Sequence, residues 1–292
     1  MATREAARVR LGALVARLLP ALRVVGFLAA LGVVVAMAVG AARHVRLQDM
    51  HWWLLAPAAL AAVVWWVLLA RGWALLVRGR ATRADVGTWC RTQALRYLPG
   101  GFWAPASRLV VVDGTPLDRV STVAAENVIA LCAALAVGGP ALALAGAPWW
   151  APLVLLAGAP VLAARLTATR SRIDPDRAAR ATVNDVAAFG AYAASAVLVQ
   201  AAISGPHHLP AVAGAAAIAW SAGLVVVIAP GGIGVRELVY VALLAGVLPR
   251  ADAAAAAVTM RLVTIAAEAA VLVIAGRPVA RSHGVGQETL RF

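Results

Sequence analysis

The sequence contains no lysine, only two cysteines and few charged residues. Cys90 and Cys132 lie far apart, and neither has the neighbours of a zinc motif, so we expect neither a zinc site nor a disulfide. The GxSxG, HExxH, P-loop and CxxC motifs are also missing from the sequence. We therefore expect a protein that is not an enzyme and that uses no metal and no cofactor.

What the sequence has in excess is apolar residues arranged in long runs. Hydrophobic residues make up 63% of the 292 positions, whereas a soluble domain is about 45–50% apolar. Several of the runs reach about 20 residues, which is the length that crosses the hydrocarbon core of a bilayer. The predicted fold class is an all-α polytopic membrane protein with about eight transmembrane helices, of which one or two are broken or re-entrant.

The apolar runs divide the chain into three regions. Residues 1–23 form a basic N-terminal segment, residues 24–276 form the transmembrane domain, and residues 277–292 form a tail. The predicted spans cover residues 24–42, 52–70, 121–146, 151–166, 186–203, 210–229, 238–248 and 253–275. Residues 85–97 show an amphipathic pattern and are predicted to form an interfacial or re-entrant helix, and residues 165–185 are predicted to form a charged cytoplasmic loop.

The net charge of +13 comes from arginines that lie mostly in short segments between the apolar runs. The positive-inside rule places these segments, and with them both termini, in the cytoplasm. No basic stripe with interleaved aromatic residues lies on a soluble segment, so we expect no nucleic-acid partner. Arginine without lysine, together with abundant alanine, valine and glycine, suggests a GC-rich bacterial genome. The expected location is therefore the bacterial cytoplasmic membrane.

A Pro-Gly-Gly turn occurs twice, each time beside an apolar run. The first turn begins with Pro99 and Gly100, and the second comprises Pro230, Gly231 and Gly232. Proline removes a backbone donor and glycine tolerates positive φ, so each turn should interrupt a helix. The turns are either ordinary interhelical loops or paired broken helices of the kind that form transporter binding sites. Both fall on the cytoplasmic side in this topology, whereas inverted repeats would separate them unless one helix is re-entrant.

Charged residues within the apolar runs need a partner or a watery cavity, because charge in hydrocarbon is costly. They are Glu126, Glu237, Arg261 and Glu268, and Arg236 and Arg108 each follow one of the Pro-Gly-Gly turns. Two interpretations are compatible with each other. The charges pair to hold helices together, or they line a pathway for a lipid or an ion. Glu126 has a further alternative as a helix-end charge at the cytoplasmic interface.

Arg236 is the strongest candidate for binding an anion. It stands beside Gly234 at a predicted helix start, where free backbone N–H groups and the positive end of the helix dipole favour negative charge. A guanidinium also offers a planar fork of donors that matches phosphate. The predicted site adds Glu237 and Gly231 to this group.

Two of these segments carry a resemblance to a known family. Tyr97–Trp103 with Arg108 looks like a YLPG-x-x-W…R segment, and Pro230–Glu237 looks like a PGG-x-G-x-RE segment. Arg261 resembles a late arginine of the same family. Glu126 begins a stretch similar to Glu-Arg-x-x-D, with Asn127 and Ala130 in place of the arginine and aspartate. The family is the lysylphosphatidylglycerol synthase transmembrane region, also called flippase-like domain proteins, and the resemblance covers roughly residues 20–278.

The resemblance implies movement of a lipid between leaflets rather than its synthesis, because the chain lacks the soluble aminoacyltransferase domain. The expected substrate is an anionic phospholipid or a polyprenyl-phosphate lipid. The expected substrate-binding residues are Arg236, Glu237, Gly231, Gly232, Gly234, Arg261, Arg108, Glu126, Pro99 and Gly100.

Two other functions stay open at this point. The first is an integral membrane transferase for a lipid-linked sugar, with its acidic site at Asp113, Asp118 or the Asp174–Asp176 loop. The second is a non-transporting scaffold for a lipid or glycan synthase. A second copy of the chain or such a synthase is the candidate protein partner.

Overall fold

The computed structural model describes residue 28, residues 31–40, residue 43, and residues 47–97, 103–146, 173–226 and 230–275. Within these ranges there is no strand, apart from an isolated bridge between Ala245 and Leu248. The helices are α1 (Leu31–Gly40), α2 (Leu55–Arg78), α3 (Arg83–Ala94), α4 (Trp103–Val111), α5 (Pro116–Leu144), α6 (Pro175–Ser204), α7 (Leu209–Val225), α8 (Val235–Leu243) and α9 (Arg250–Ala275). The predicted all-α class is confirmed for this part of the chain.

Four helical segments are long and apolar enough to cross a membrane. They are Trp52–Arg78, Pro116–Leu144, Pro175–Ser204 and Arg250–Ala275, which contain α2, α5, α6 and α9. Helices α1 and α7 are apolar but shorter. These lengths and compositions are those of a helical membrane protein.

The predicted number of eight spans is not reproduced in the described residues. Residues 151–166 lie outside them, and residues 24–42 lie only partly within them. The run at 238–248 is interrupted, because α8 has 9 residues and ends at Leu243. At 1.5 Å per residue, α8 is about 13 Å long and too short to cross a bilayer.

Helices α5 and α6 begin earlier than predicted because of their N-terminal caps. Thr115 and Asp118 form a capping box, in which each side chain accepts a hydrogen bond from the other's backbone N–H, at 3.3 and 3.1 Å. Pro116 follows at the first position of α5. Asp174 likewise accepts from the Asp176 N–H before Pro175 opens α6. Asp185 is therefore a helix residue, and its assignment to a cytoplasmic loop was wrong.

The core of the bundle is built around α2 and α6, which form the most extensive helix–helix contact. Helix α9 packs on α2, and α7 packs on α5. Large aromatic side chains fill the centre: the ring centres of Trp65 and Tyr192 lie 4.6 Å apart in a tilted arrangement, and those of Phe189 and Trp220 lie 4.6 Å apart edge to face. The α5–α7 contact is made by small residues instead, since Gly214 of α7 lies directly against Leu142 of α5.

Helix α3 covers most of the amphipathic segment predicted at 85–97. A capping box of Thr82 and Asp85 starts the helix, and Asp85 also binds Arg78 at 3.1 Å. A 3₁₀ turn, Leu95–Tyr97, then leads towards the first Pro-Gly-Gly turn and contacts the 3₁₀ turn Pro230–Gly232. Pro99 and Gly100 themselves lie outside the described residues.

We expect Gly214→Val to weaken the α5–α7 contact. A Cβ atom at position 214 would lie 2.5 Å from Cγ of Leu142 and 2.9 Å from the carbonyl oxygen of Gly138, so the helices must separate. Overpacking of this kind costs about 1–3 kcal/mol. The measurement is the free energy of unfolding in mixed detergent micelles. Gly190→Val is the matched control, since position 190 has no atom within 4 Å of its Cβ site; an equal loss in both variants would contradict the prediction.

Candidate functional site

A cavity of about 370 Å³ opens between the helices near the second Pro-Gly-Gly turn. We call it the central cavity. Its aromatic wall consists of Trp65, Trp66, Trp89 and Trp220. Its charged lining residues are Arg96, Arg108, Arg236, Glu126 and Asp185. The cavity thus combines indole faces with three guanidinium groups and two carboxylates.

Arg236 enters the central cavity from the first turn of α8. Its guanidinium lies 5.3 Å from the ring centre of Trp220, and its side chain crosses Gly223 of α7. A Cβ atom at Gly223 would stand 2.5 Å from Nε of Arg236, and one at Gly232 would stand 2.7 Å away. The two glycines therefore provide the space in which Arg236 lies.

Arg236 is also the lining arginine without a carboxylate. None of the ion pairs between described residues includes it, and its buried Nε has no hydrogen-bond partner there. The indole N–H groups of Trp65 and Trp220 likewise lack an acceptor, and Oε2 of Glu126 lacks a donor. An unpaired buried donor costs free energy, so these N–H groups suit a ligand that offers hydrogen-bond acceptors.

The second Pro-Gly-Gly turn is held by Glu237 and Arg261. Gly231, Gly232 and Gly234 have φ values of 61°, 69° and 81°, which side chains other than glycine rarely adopt. Glu237 accepts a hydrogen bond from the Gly234 N–H at 2.7 Å, and Arg261 donates to the Gly231 carbonyl at 3.1 Å. Glu237 and Arg261 are 3.8 Å apart.

This arrangement differs from the predicted groove. Gly231 and Gly232 line the central cavity, but Glu237 and Arg261 lie behind the turn, around a separate space of about 30 Å³ that also touches Arg236. Gly234 lines neither space. Glu237 and Arg261 therefore shape the turn that presents Arg236, and they do not contact the central cavity themselves.

Arg108 and Glu126 form an ion pair on the opposite wall. Their side chains meet at 2.6 Å, and Arg108 also donates to Oε1 of Gln93. Trp89 donates its indole N–H to Glu126 at 2.8 Å and lies 5.1 Å beneath the Arg108 guanidinium. Glu126 is consequently not a water-exposed helix end, because its side chain is 11% exposed and its Oε1 accepts from Trp89 of α3 and Arg108 of α4.

Arg96 and Glu268 form a buried pair that the sequence did not reveal. Arg96 belongs to one of the arginine-bearing segments that the positive-inside rule places in the cytoplasm, yet it donates to Glu268 of α9 at 2.7 Å and stands 4.6 Å over Trp66. The sequence feature that could have identified Arg96 as a site residue is its position three residues before Pro99 of the first Pro-Gly-Gly turn. The adjoining Cys90 is a packing residue, and burial raises the pKa of its thiol to about 11.

Asp185 was also missed, because its neighbours in sequence are polar. It is 4% exposed, lines the central cavity, and accepts a hydrogen bond from the Asn184 side chain at 3.2 Å. None of the ion pairs between described residues involves it. Among the described residues, Arg236 and Asp185 are thus a cation and a carboxylate of the central cavity that no ion pair neutralises.

The acidic residues considered for a transferase lie elsewhere. Asp113 and Asp174 border a surface depression of about 310 Å³ together with Arg78 and Arg177. Asp118 and Asp174 are engaged in helix caps. Within the described ranges, no three histidine, cysteine or acidic side chains come together as metal ligands.

No protein-family model matches the chain, and no curated protein matches it.

Replacing one member of the Arg96–Glu268 pair should destabilise the protein more than replacing both. Glu268→Leu leaves a guanidinium buried without its carboxylate, and breaking a buried pair costs about 3–5 kcal/mol. Arg96→Met combined with Glu268→Leu removes both charges and should recover most of that loss. The measurement is the free energy of unfolding in detergent for the two single variants and the double variant. Additive losses would show that the two side chains act independently.

Proposed function

We propose that the protein is a lipid translocase that moves an anionic phospholipid or a polyprenyl-phosphate lipid between the leaflets of the bacterial cytoplasmic membrane. The observation that supports this most directly is Arg236, a cavity-lining guanidinium without a carboxylate partner among the described residues. A phosphate on a lipid headgroup supplies the bidentate acceptor that this group needs.

The rest of the central cavity favours a phosphate headgroup over a larger or apolar ligand. Three arginines line it, and so do Trp65 and Trp220, whose indole N–H groups have no acceptor among the described residues. Arg96 and Arg108 contribute positive potential although each has its own carboxylate. The volume of about 370 Å³ is in the range of small-molecule sites, which is ample for a headgroup.

The exterior of the bundle exposes apolar side chains that could contact the tails of a lipid substrate. Helix α9 exposes Leu262, Ile265 and Val273, and α5 exposes Val128. In a membrane protein such side chains contact acyl chains. The proposed translocase keeps the tails of the substrate in the bilayer at these surfaces, while the phosphate crosses through the central cavity.

Arg236→Ala is expected to slow lipid movement without unfolding the protein. Loss of a charge-assisted hydrogen bond is worth about 1.5–3 kcal/mol, which corresponds to about a 10- to 100-fold weaker interaction. The measurement uses proteoliposomes with acyl-labelled fluorescent phosphatidylglycerol or polyprenyl phosphate. An impermeant quencher reports how fast labelled lipid reaches the outer leaflet. The lipid that moves identifies the headgroup class.

Two variants sharpen this experiment. Arg236→Lys keeps the charge but loses the planar fork, so it should be intermediate. Arg250→Ala removes an exposed arginine at the start of α9, away from the central cavity, and should match the wild type. Normal transport by a folded Arg236→Ala protein would reject the assignment of the site. Native mass spectrometry of the same samples tests the scaffold alternative, because a scaffold would retain a synthase and move no lipid.

A further inference from the structure

We propose that Asp185 is a proton-binding site of the central cavity, and that it takes up a proton when an anionic headgroup binds at Arg236. The inference rests on the proposed function, since it names the ion that accompanies the lipid. The observation behind it is a carboxylate that is 4% exposed, lines the cavity, and has no cation partner among the described residues.

The fold places Asp185 well inside the bundle. Helix α6 begins at Pro175, so Asp185 lies about 15 Å along its axis. Its carboxylate occupies the gap left by Gly72 of α2, where a Cβ atom would collide with Oδ1. Asn184 donates to that same oxygen at 3.2 Å and donates also to the Leu68 carbonyl at 2.6 Å. The carboxylate is therefore held in a defined position facing the cavity.

The charged groups on the cavity side of α6 do not neutralise Asp185. Glu126 of α5 is a second carboxylate and is already bound by Arg108 at 2.6 Å. Helix α7, which packs on α6, contains no titratable residue between Leu209 and Val225. Arg236 lines the same cavity but makes no ion pair with Asp185.

The charged residues of α2, α9 and α6 itself form no ion pair with Asp185 among the described residues. On α2, Arg71 is exposed and Arg78 is bound to Asp85. On α9, Arg261 is bound to Glu237 and Glu268 is bound to Arg96. Asp252 lies in the first turn of α9. On α6 itself, Arg177 and Arg180 donate to the carbonyls of Val77 and Gly79, at the end of α2. Among the described residues, Arg236 is therefore the cavity-lining cation that lacks a carboxylate of its own and could balance Asp185.

Charge balance links the proposed proton to the lipid. Before a lipid binds, an ionised Asp185 would balance Arg236, while Arg96 and Arg108 are compensated by Glu268 and Glu126. A monoanionic phosphate on Arg236 would leave the cavity with one uncompensated negative charge. Charge enclosed in a membrane protein is costly, so the carboxylate should bind H⁺ and become a neutral carboxylic acid. By linkage, each ligand then raises the affinity for the other.

Infrared difference spectroscopy on the purified full chain in nanodiscs tests the proton site directly. Acidification should produce a carboxylic-acid C=O band that is absent in Asp185→Asn. The band should persist in Asp49→Asn, which removes an exposed carboxylate outside the cavity. A spectrum that is identical in wild type and Asp185→Asn would overturn the proposal, whatever the protein does with lipids.

The coupling is tested by adding dihexanoylphosphatidylglycerol to the same proteins in weakly buffered solution. A pH indicator should report uptake of about one proton per lipid bound by the wild type, and little uptake by Asp185→Asn. Binding with equal proton uptake in both proteins would overturn the coupling and leave the proposed function standing. If the wild type binds no lipid, the proposed function fails, and the infrared band alone decides whether Asp185 binds a proton.

Discussion

A charge enclosed among packed helices has lost most of its water, and the arrangement of this bundle follows from how each such charge is compensated. Arg96 of the segment after α3 is bound to Glu268 of α9, and Arg108 of α4 is bound to Glu126 of α5. Each pair joins a short helical segment to a helix of membrane-spanning length. Charge compensation therefore fixes α4 and the segment after α3 against the long helices of the bundle.

The same constraint explains why glycine is concentrated around Arg236. A guanidinium that is not pulled towards a carboxylate must be positioned by shape. Gly223 of α7 and Gly232 of the second turn leave the channel in which its side chain lies, and Trp220 covers one face. The left-handed φ of Gly234 allows α8 to start at this point, with Glu237 capping the turn. Backbone geometry thus positions the side chain of Arg236, whereas ion pairs position those of Arg96 and Arg108.

Much of this organisation was predictable from local pattern. Apolar length identified the helices that contain α2, α5, α6 and α9, and the Pro-Gly-Gly-x-Gly-x-Arg-Glu run singled out Arg236. The local pattern could not predict which charged side chains contact each other in the folded structure. Arg96 and Asp185 each end a charged stretch of the sequence, so the local pattern assigned them to water, and only tertiary packing buries them. Glu237 was predicted to bind substrate because it stands beside Arg236 in the motif. The motif does not show that its side chain turns back and accepts a hydrogen bond from the Gly234 N–H.

The contrast between paired and unpaired charges bears on how such a protein can work. A pair with a short contact, such as Arg108–Glu126 at 2.6 Å, is costly to break and is therefore suited to holding helices in place. Arg236 and Asp185 form no ion pair among the described residues. Binding of a ligand to either group therefore does not first require an ion pair to be broken. A translocase needs both kinds of charge, because its substrate must enter and leave while the walls of its pathway persist. The separation of the two kinds within one cavity is the physical basis for our proposal that ligands bind and leave at Arg236 and Asp185 while the paired charges hold the helices together.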